Sequence, residues 1–203
     1  MQWSYKKLNY DILVPKLGKS IFELNEQEAA DYFTWFMEQV PGRVAYVSQI
    51  CASELRISEE KMDCSPKSLL LLWKWFLRRA KTEPAIHTDA EKGNKKLPSS
   101  IWNNERQLTL ETEYIIRDIG MYLGETFCKN NSNIYWTYYT KPRRDFFVNH
   151  PLLKGFIDRT CDKPFEASFE PIHMTHVQAA KILKKASLDT DLFGIYNIWA
   201  EKV

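Results

Sequence analysis

At 203 residues the chain is long enough for one well-filled core, and 44% hydrophobic with 27% charged residues puts it outside the composition of disordered chains. The 28 Lys and Arg nearly balance 26 Asp and Glu, so a net charge of +2 gives no overall field to attract nucleic acid. No run approaches the ~20 apolar residues of a membrane span, and MQWSYKKLNYDILV lacks the apolar stretch of a signal peptide; the expected location is the cytosol, without membrane contact. Cys51, Cys64, Cys128 and Cys161 form no Cys-x-x-Cys pair and read as reduced thiols rather than a zinc site or disulfide framework. Aromatics are abundant at 14%, and serve either as core filling or as a recognition surface.

The opening WSYKKLNYDILVPKLGKSIFEL reads as extended or irregular chain, punctuated by Pro15 and Gly18, with short strand-like runs at Tyr10–Val14 and Ser20–Leu24. NEQEAADYFTWFMEQV predicts a helix capped by Asn25, with Glu28 completing a capping box. At about 100° per residue, Ala29, Tyr32, Phe33, Phe36 and Val40 share one face and Trp35 falls off it, which asks for a second partner or partial exposure. Pro41 suits the first turn of a second helix with Val44, Val47, Ile50 and Cys51 inward. SPKSLLLLWKWFLRRAK is the strongest helix, with Ser65 as cap and Pro66 in the first turn. Its apolar face of Leu69, Leu72, Trp73, Phe76, Leu77 and Ala80 is backed by Leu71 and Trp75, which predicts a central position. Arg78, Arg79 and Lys81 suit the negative end of that helix.

The polar stretch Thr82–Gln107, broken by Pro84, Gly93 and Pro98, is longer than an ordinary connection. It divides the chain into a mainly helical part, 1–81, and an α+β part, 108–203, or is a long loop in one continuous domain; Lys92, Lys95 and Lys96 read as a solvated tether. A helix over Leu108–Lys129 turns Thr112, Ile115, Ile116, Ile119, Leu123 and Phe127 to the core. Gly120 and Gly124 lie together at the edge of that face. Each costs about 1 kcal/mol of helix propensity relative to Ala, so a close approach of another chain segment must recover it. Along the far edge Glu111, Asp118 and Glu125 recur every seven residues beside Tyr114, Met121 and Tyr122, forming an acidic, tyrosine-bearing strip.

IYWTYYT predicts a strand, Lys141–Arg144 a turn and DFFVN the returning strand. HPLLKGF and KPFEASFEP are loops or short strands, THVQAAKILKKA is a helix capped by Thr175 with Gln178 at its third position, and Ile195–Trp199 suggests a last strand. The sum is an α+β fold, a helical N-terminal part packed against a small antiparallel sheet with flanking helices.

Motifs for phosphate loops, nucleophile elbows and zinc helices are absent from the sequence. HMTH, with His173, His176 and nearby Glu170, lacks further ligands at convincing spacing. Neighbouring carboxylates of the strip stand about 10 Å apart by helical rise, wide for a shared metal or proton. No residue is given a catalytic or metal-binding role, and no cofactor is expected. Tyr135, Trp136, Tyr138 and Tyr139 before Lys141, Arg143 and Arg144 make a basic and aromatic cluster, but nucleic acid is an unfavoured partner without a wider basic patch. The alternative, a hydrolase-type enzyme, would need a pocket between the helical part and the hairpin, with a perturbed carboxylate or His beside a nucleophile.

The residues from Leu108 to Leu183, with their DIGMYLGETF step, the Trp of IYWTYY and the FEPIHMTHVQAAKIL ending, resemble bacterial cytosolic α+β proteins of the polymorphic-toxin immunity type. The resemblance implies stoichiometric binding of a protein partner, a toxin domain covered at its active site. A basic toxin surface would complement the strip, so Glu111, Tyr114, Asp118, Tyr122 and Glu125 are the expected partner-binding residues, and charge reversal at Asp118 and Glu125 is the expected disruption.

Overall fold

The computed structural model describes residues 10–85, 105–160 and 162–203, and these form an α+β fold. Helix α1 spans Glu26–Leu55, α2 Ser68–Arg79, α3 Leu110–Asn130, α4 Pro171–Ala180 and α5 Asp191–Ala200. Strands β1 (Thr82–Pro84) and β2 (Arg106–Leu108) pair antiparallel, and β3 (Tyr135–Thr137), β4 (Leu152–Asp158) and β5 (Phe165–Phe169) form an antiparallel sheet in that order. Thr82 pairs with Leu108 and Pro84 with Arg106, so both ends of the Thr82–Gln107 stretch are tied together. Its interior, with Lys92, Lys95, Lys96 and His87, lies outside the described residues, as do the first nine residues and Cys161. No helix among the described residues is long and apolar enough to cross a membrane.

The capping box of α1 forms as its sequence dictates. Asn25 Oδ1 accepts the Glu28 N–H at 3.0 Å, and Glu28 Oε2 accepts the Asn25 N–H at 2.7 Å. Pro41 does not start a second helix: α1, 30 residues long, runs through it. A proline inside a helix forfeits one backbone hydrogen bond and crowds the preceding turn; here Phe36, Val40, Val47 and Cys51 are buried on both sides of it, which fixes one continuous face. Trp35 is half-buried and stacks on Tyr32 with centroids 5.7 Å apart, the second partner its position demanded.

Helix α2 is central. Leu69, Leu72, Trp73, Trp75 and Phe76 are all buried, and Trp75 Nε1 donates to Glu54 at 2.7 Å while Trp73 Nε1 donates to the Leu188 carbonyl at 3.0 Å. The helix begins at Ser68, three residues after the expected cap. Ser65 instead closes a turn in which its carbonyl accepts the N–H and hydroxyl of Ser68.

Four further expectations are corrected. Tyr10–Val14 and Ser20–Leu24 are not strands; the first is irregular and the second contains a 3-10 turn, Ile21–Glu23. Side chains hold the segment from outside: Arg43 donates to the Asp11 carbonyl at 2.6 Å, Arg117 to the Leu13 carbonyl at 2.8 Å and Arg143 to the Leu24 carbonyl at 2.7 Å. The partner of β3 is Leu152–Asp158 rather than DFFVN. Asp145 accepts the Phe147 N–H at 2.8 Å and the Tyr139 hydroxyl, and Asn149 sits at φ 65, so residues 142–149 fold as turns. Helix α4 starts at Pro171, not Thr175, because Glu170 accepts the His173 N–H and Pro171 is suited to the first helical position. Thr175 is buried inside the helix and donates to the Pro171 carbonyl at 2.8 Å. Ile195–Trp199 belongs to α5, where Leu192, Ile195, Tyr196 and Trp199 recur at helical spacing.

Both α3 glycines sit at close approaches. A Cβ on Gly120 would stand 2.6 Å from the Ile172 Cα of α4, and one on Gly124 would stand 2.0 Å from Trp136 Cζ2 of β3. The missing side chains let α4 and the sheet close onto α3. The six residues predicted to face the core from α3 are all buried.

Candidate functional site

The strip on α3 turns inward. Asp118 is 1% and Tyr122 0% exposed. Arg43 of α1 grips Asp118 through Nε at 3.1 Å and Nη2 at 2.6 Å, and the Tyr10 hydroxyl donates to it at 2.5 Å. Burial pushes the Asp118 carboxyl up, and the guanidinium and phenol pull against that shift. The Tyr122 hydroxyl donates to Ser68 Oγ at 2.7 Å and accepts the Cys64 N–H at 2.9 Å. Glu111 pairs with Arg79 at 3.2 Å, and Glu125 accepts Trp136 Nε1 at 2.8 Å. The expectation of an exposed acidic face is therefore corrected: these four residues anchor α1, α2 and β3 to α3. The fifth, Tyr114, lines a cleft.

That cleft, about 470 Å³, lies between the 3-10 turn, the first turns of α3, the 142–150 segment and the start of α4. Its polar groups are Glu113, Tyr114 and Arg117 from α3, His150 from the turn segment, Glu170 at the cap of α4, and His173 and His176 from α4. Pro171 explains the last three. By opening the helix there it places Glu170 at the cap and His173 and His176 three residues apart, on one face.

Two imidazoles are set among phenylalanines. His173 meets Phe146 and Phe147 edge-on at 5.4 and 5.3 Å, and His150 lies 5.3 Å from Phe22 and 6.2 Å from Phe147. Burial holds both below the usual imidazole range, with His173 adding to the effect on His150 and His176 to that on His173. His150 Nε2 is buried with no hydrogen-bond partner among the described residues. His176 is held up by its bond to Glu113 at 3.2 Å.

Glu170 is 4% exposed, and burial pushes its carboxyl up to about 7 against the pull of the His173 N–H. Oε2 accepts that N–H, and no donor among the described residues bonds Oε1. Arg117, the cleft's only Lys or Arg among the described residues, is turned to the Leu13 carbonyl and the Tyr114 ring. The rim is apolar: Phe22 is 45%, Leu110 57% and Phe146 62% exposed.

Other chemistry has less support. Burial pushes the thiols of Cys51 and Cys128 up to about 12 and that of Cys64 to about 11, which makes them poor nucleophiles. No group of three or more His, Cys, Asp and Glu that could hold a metal is present among the described residues. Part of the basic and aromatic cluster is already engaged: Lys141 pairs with Glu26 at 2.9 Å on the surface, Arg143 bonds the Leu24 carbonyl, and Tyr138 packs on Phe33 at 4.9 Å. Compared with protein-family models, curated proteins and solved structures, the chain matches none.

Proposed function

We propose that the protein is a stoichiometric protein-binding module whose interface is the rim of this cleft, and that it neutralises a bacterial toxin by covering the toxin's active site. The observation that carries the binding reading is the grouping of exposed Phe22, Leu110 and Phe146 around one cleft. Exposed aromatic side chains grouped at a concave site are the usual anchors of protein interfaces. The toxin partner rests on the resemblance over Leu108–Leu183. Among the described lining residues there is no Ser, Cys or Thr, so a hydroxyl- or thiol-based nucleophile has no support there.

Phe146→Asp tests the reading. Affinity for the cognate partner is expected to fall by about 30-fold or more, the scale of an interface hot spot. The thermal midpoint should stay close to that of the parent, because the ring is already 62% exposed. Phe165→Asp, on β5 and 51% exposed, is the control and should bind normally. Equal weakening by both, or by neither, would remove the rim from the interface.

A hydrolase that activates water directly has one observation in its favour, the buried Glu170 beside His150 and His173. Turnover of a hydrolytic substrate, lost in Glu170→Gln and His150→Gln, would replace the binding reading.

A further inference from the structure

We propose that the cleft takes up a basic side chain, an arginine or lysine of the bound protein, with Glu170 as its counter-ion. The inference rests on the binding reading above and adds the chemistry of the anchor.

Glu170 is a nearly buried carboxyl that no salt bridge compensates among the described residues. A buried charge without a partner is costly, and the cost is relieved by protonation or by an arriving cation. Its cap bond uses Oε2 and leaves Oε1 for a ligand. An anion is disfavoured at the same place, because the N-terminus of α4 already has a carboxylate as its cap.

The walls suit a cation. Phe22, Phe146 and Phe147 present aromatic rings around the cleft, and a guanidinium or ammonium over such rings gains cation–π attraction that grows as water is excluded. Burial holds the His150 and His173 imidazoles below their usual range, so above that range they carry no charge to repel it, and His150 Nε2, without a hydrogen-bond partner among the described residues, is an acceptor when the ring proton sits on Nδ1. A cleft of about 470 Å³ has room for one long side chain.

The groups around Glu170 fix the pH dependence. From α4 these are His173 and His176, from α3 Glu113 and Arg117, from the turn segment His150, and from α1 Tyr32, whose phenol burial holds up, with Arg117 opposing and Glu170 adding to the shift. The cation needs the carboxylate form. With the carboxyl at about 7 in the empty cleft, affinity should be full above that pH and fall about tenfold per unit below it, more steeply once the histidines protonate.

The test uses the whole chain and two probes, N-acetyl-arginine amide and its neutral isostere N-acetyl-citrulline amide, followed by NMR shifts of the His150 and His173 ring protons. The expected result is a saturable shift with the arginine amide at pH 8, at least about tenfold weaker with the citrulline amide and about tenfold weaker at pH 6. Glu170→Gln keeps an oxygen to cap α4 and should lose both the binding and its pH dependence. Should that variant misfold, the pH dependence of the parent still decides. Equal binding of the two amides, no saturable shift, or unchanged binding in Glu170→Gln overturns the proposal.

Two combinations separate this inference from the binding reading. Partner capture lost in Phe146→Asp but untouched by Glu170→Gln keeps the interface and removes the anchor. If Glu170→Gln abolishes amide binding while capture survives both substitutions, the cleft belongs to a small free cation, and the anchor is again overturned.

Discussion

Asp118→Ala is expected to lower the unfolding free energy by about 3–5 kcal/mol, read by urea denaturation. Its removal would leave the Arg43 guanidinium, only 9% exposed, without its main counter-charge. It would also release Tyr10, which is 3% exposed and helps to hold the N-terminal segment against α1 and α3. Replacing both members of the pair, Arg43→Met with Asp118→Leu, should cost much less than the single change, since the large term is the stranded charge rather than the bond. A loss below about 1 kcal/mol for Asp118→Ala would mean that the pair is effectively solvated. Charge reversal at Asp118 is therefore expected to act through stability, by breaking the buried pair with Arg43, rather than through a surface contact.

Gly124→Ala should destabilise by about 1–3 kcal/mol despite alanine's better helix propensity, because a Cβ 2.0 Å from Trp136 Cζ2 forces the indole aside and breaks its bond to Glu125. Gly120→Ala should lose a similar amount, against the α4 backbone at Ile172, which has less room to give than a side chain. Gly42→Ala and Gly194→Ala are the controls, for nothing lies within 4 Å of their Cβ positions. They sit inside α1 and α5, and each should gain up to about 1 kcal/mol. Thermal or urea unfolding of the four variants checks the contrast. A stabilising Gly124→Ala would show that α3 and β3 do not close on each other as described.

The α+β class and the core face of α3 were legible because periodicity reports directly on burial: Ile115, Ile116, Ile119, Leu123 and Phe127 recur as a helix face must. The glycine pair was legible for the same reason, as a local cost that only packing could repay. The character of the opposite edge was not. Charge and spacing are the same for a solvated stripe and a buried one; the difference lies in Arg43, which is 75 residues away along the chain. The second strand of the hairpin was misplaced because Phe146 and Phe147 have strand propensity, while the turn is set by Asp145 and Asn149.

The cleft was missed for a related reason. With a helix start at Thr175, HMTH reads as a metal-site candidate, whereas Glu170–Pro171 is itself a helix start and puts both histidines on its first turns. That dipeptide was the available signal. The approach of Phe22 and His150 to the same place depends on long-range packing of the N-terminal segment, and no local pattern encodes it.

The most direct test of the interface is hydrogen–deuterium exchange of the whole protein with and without its cognate partner. Slowed exchange is predicted over residues 20–24, 110–117, 145–150 and 170–176, the four segments that border the cleft. Protection confined to other surfaces, such as the outer face of α1 or β5, would contradict it.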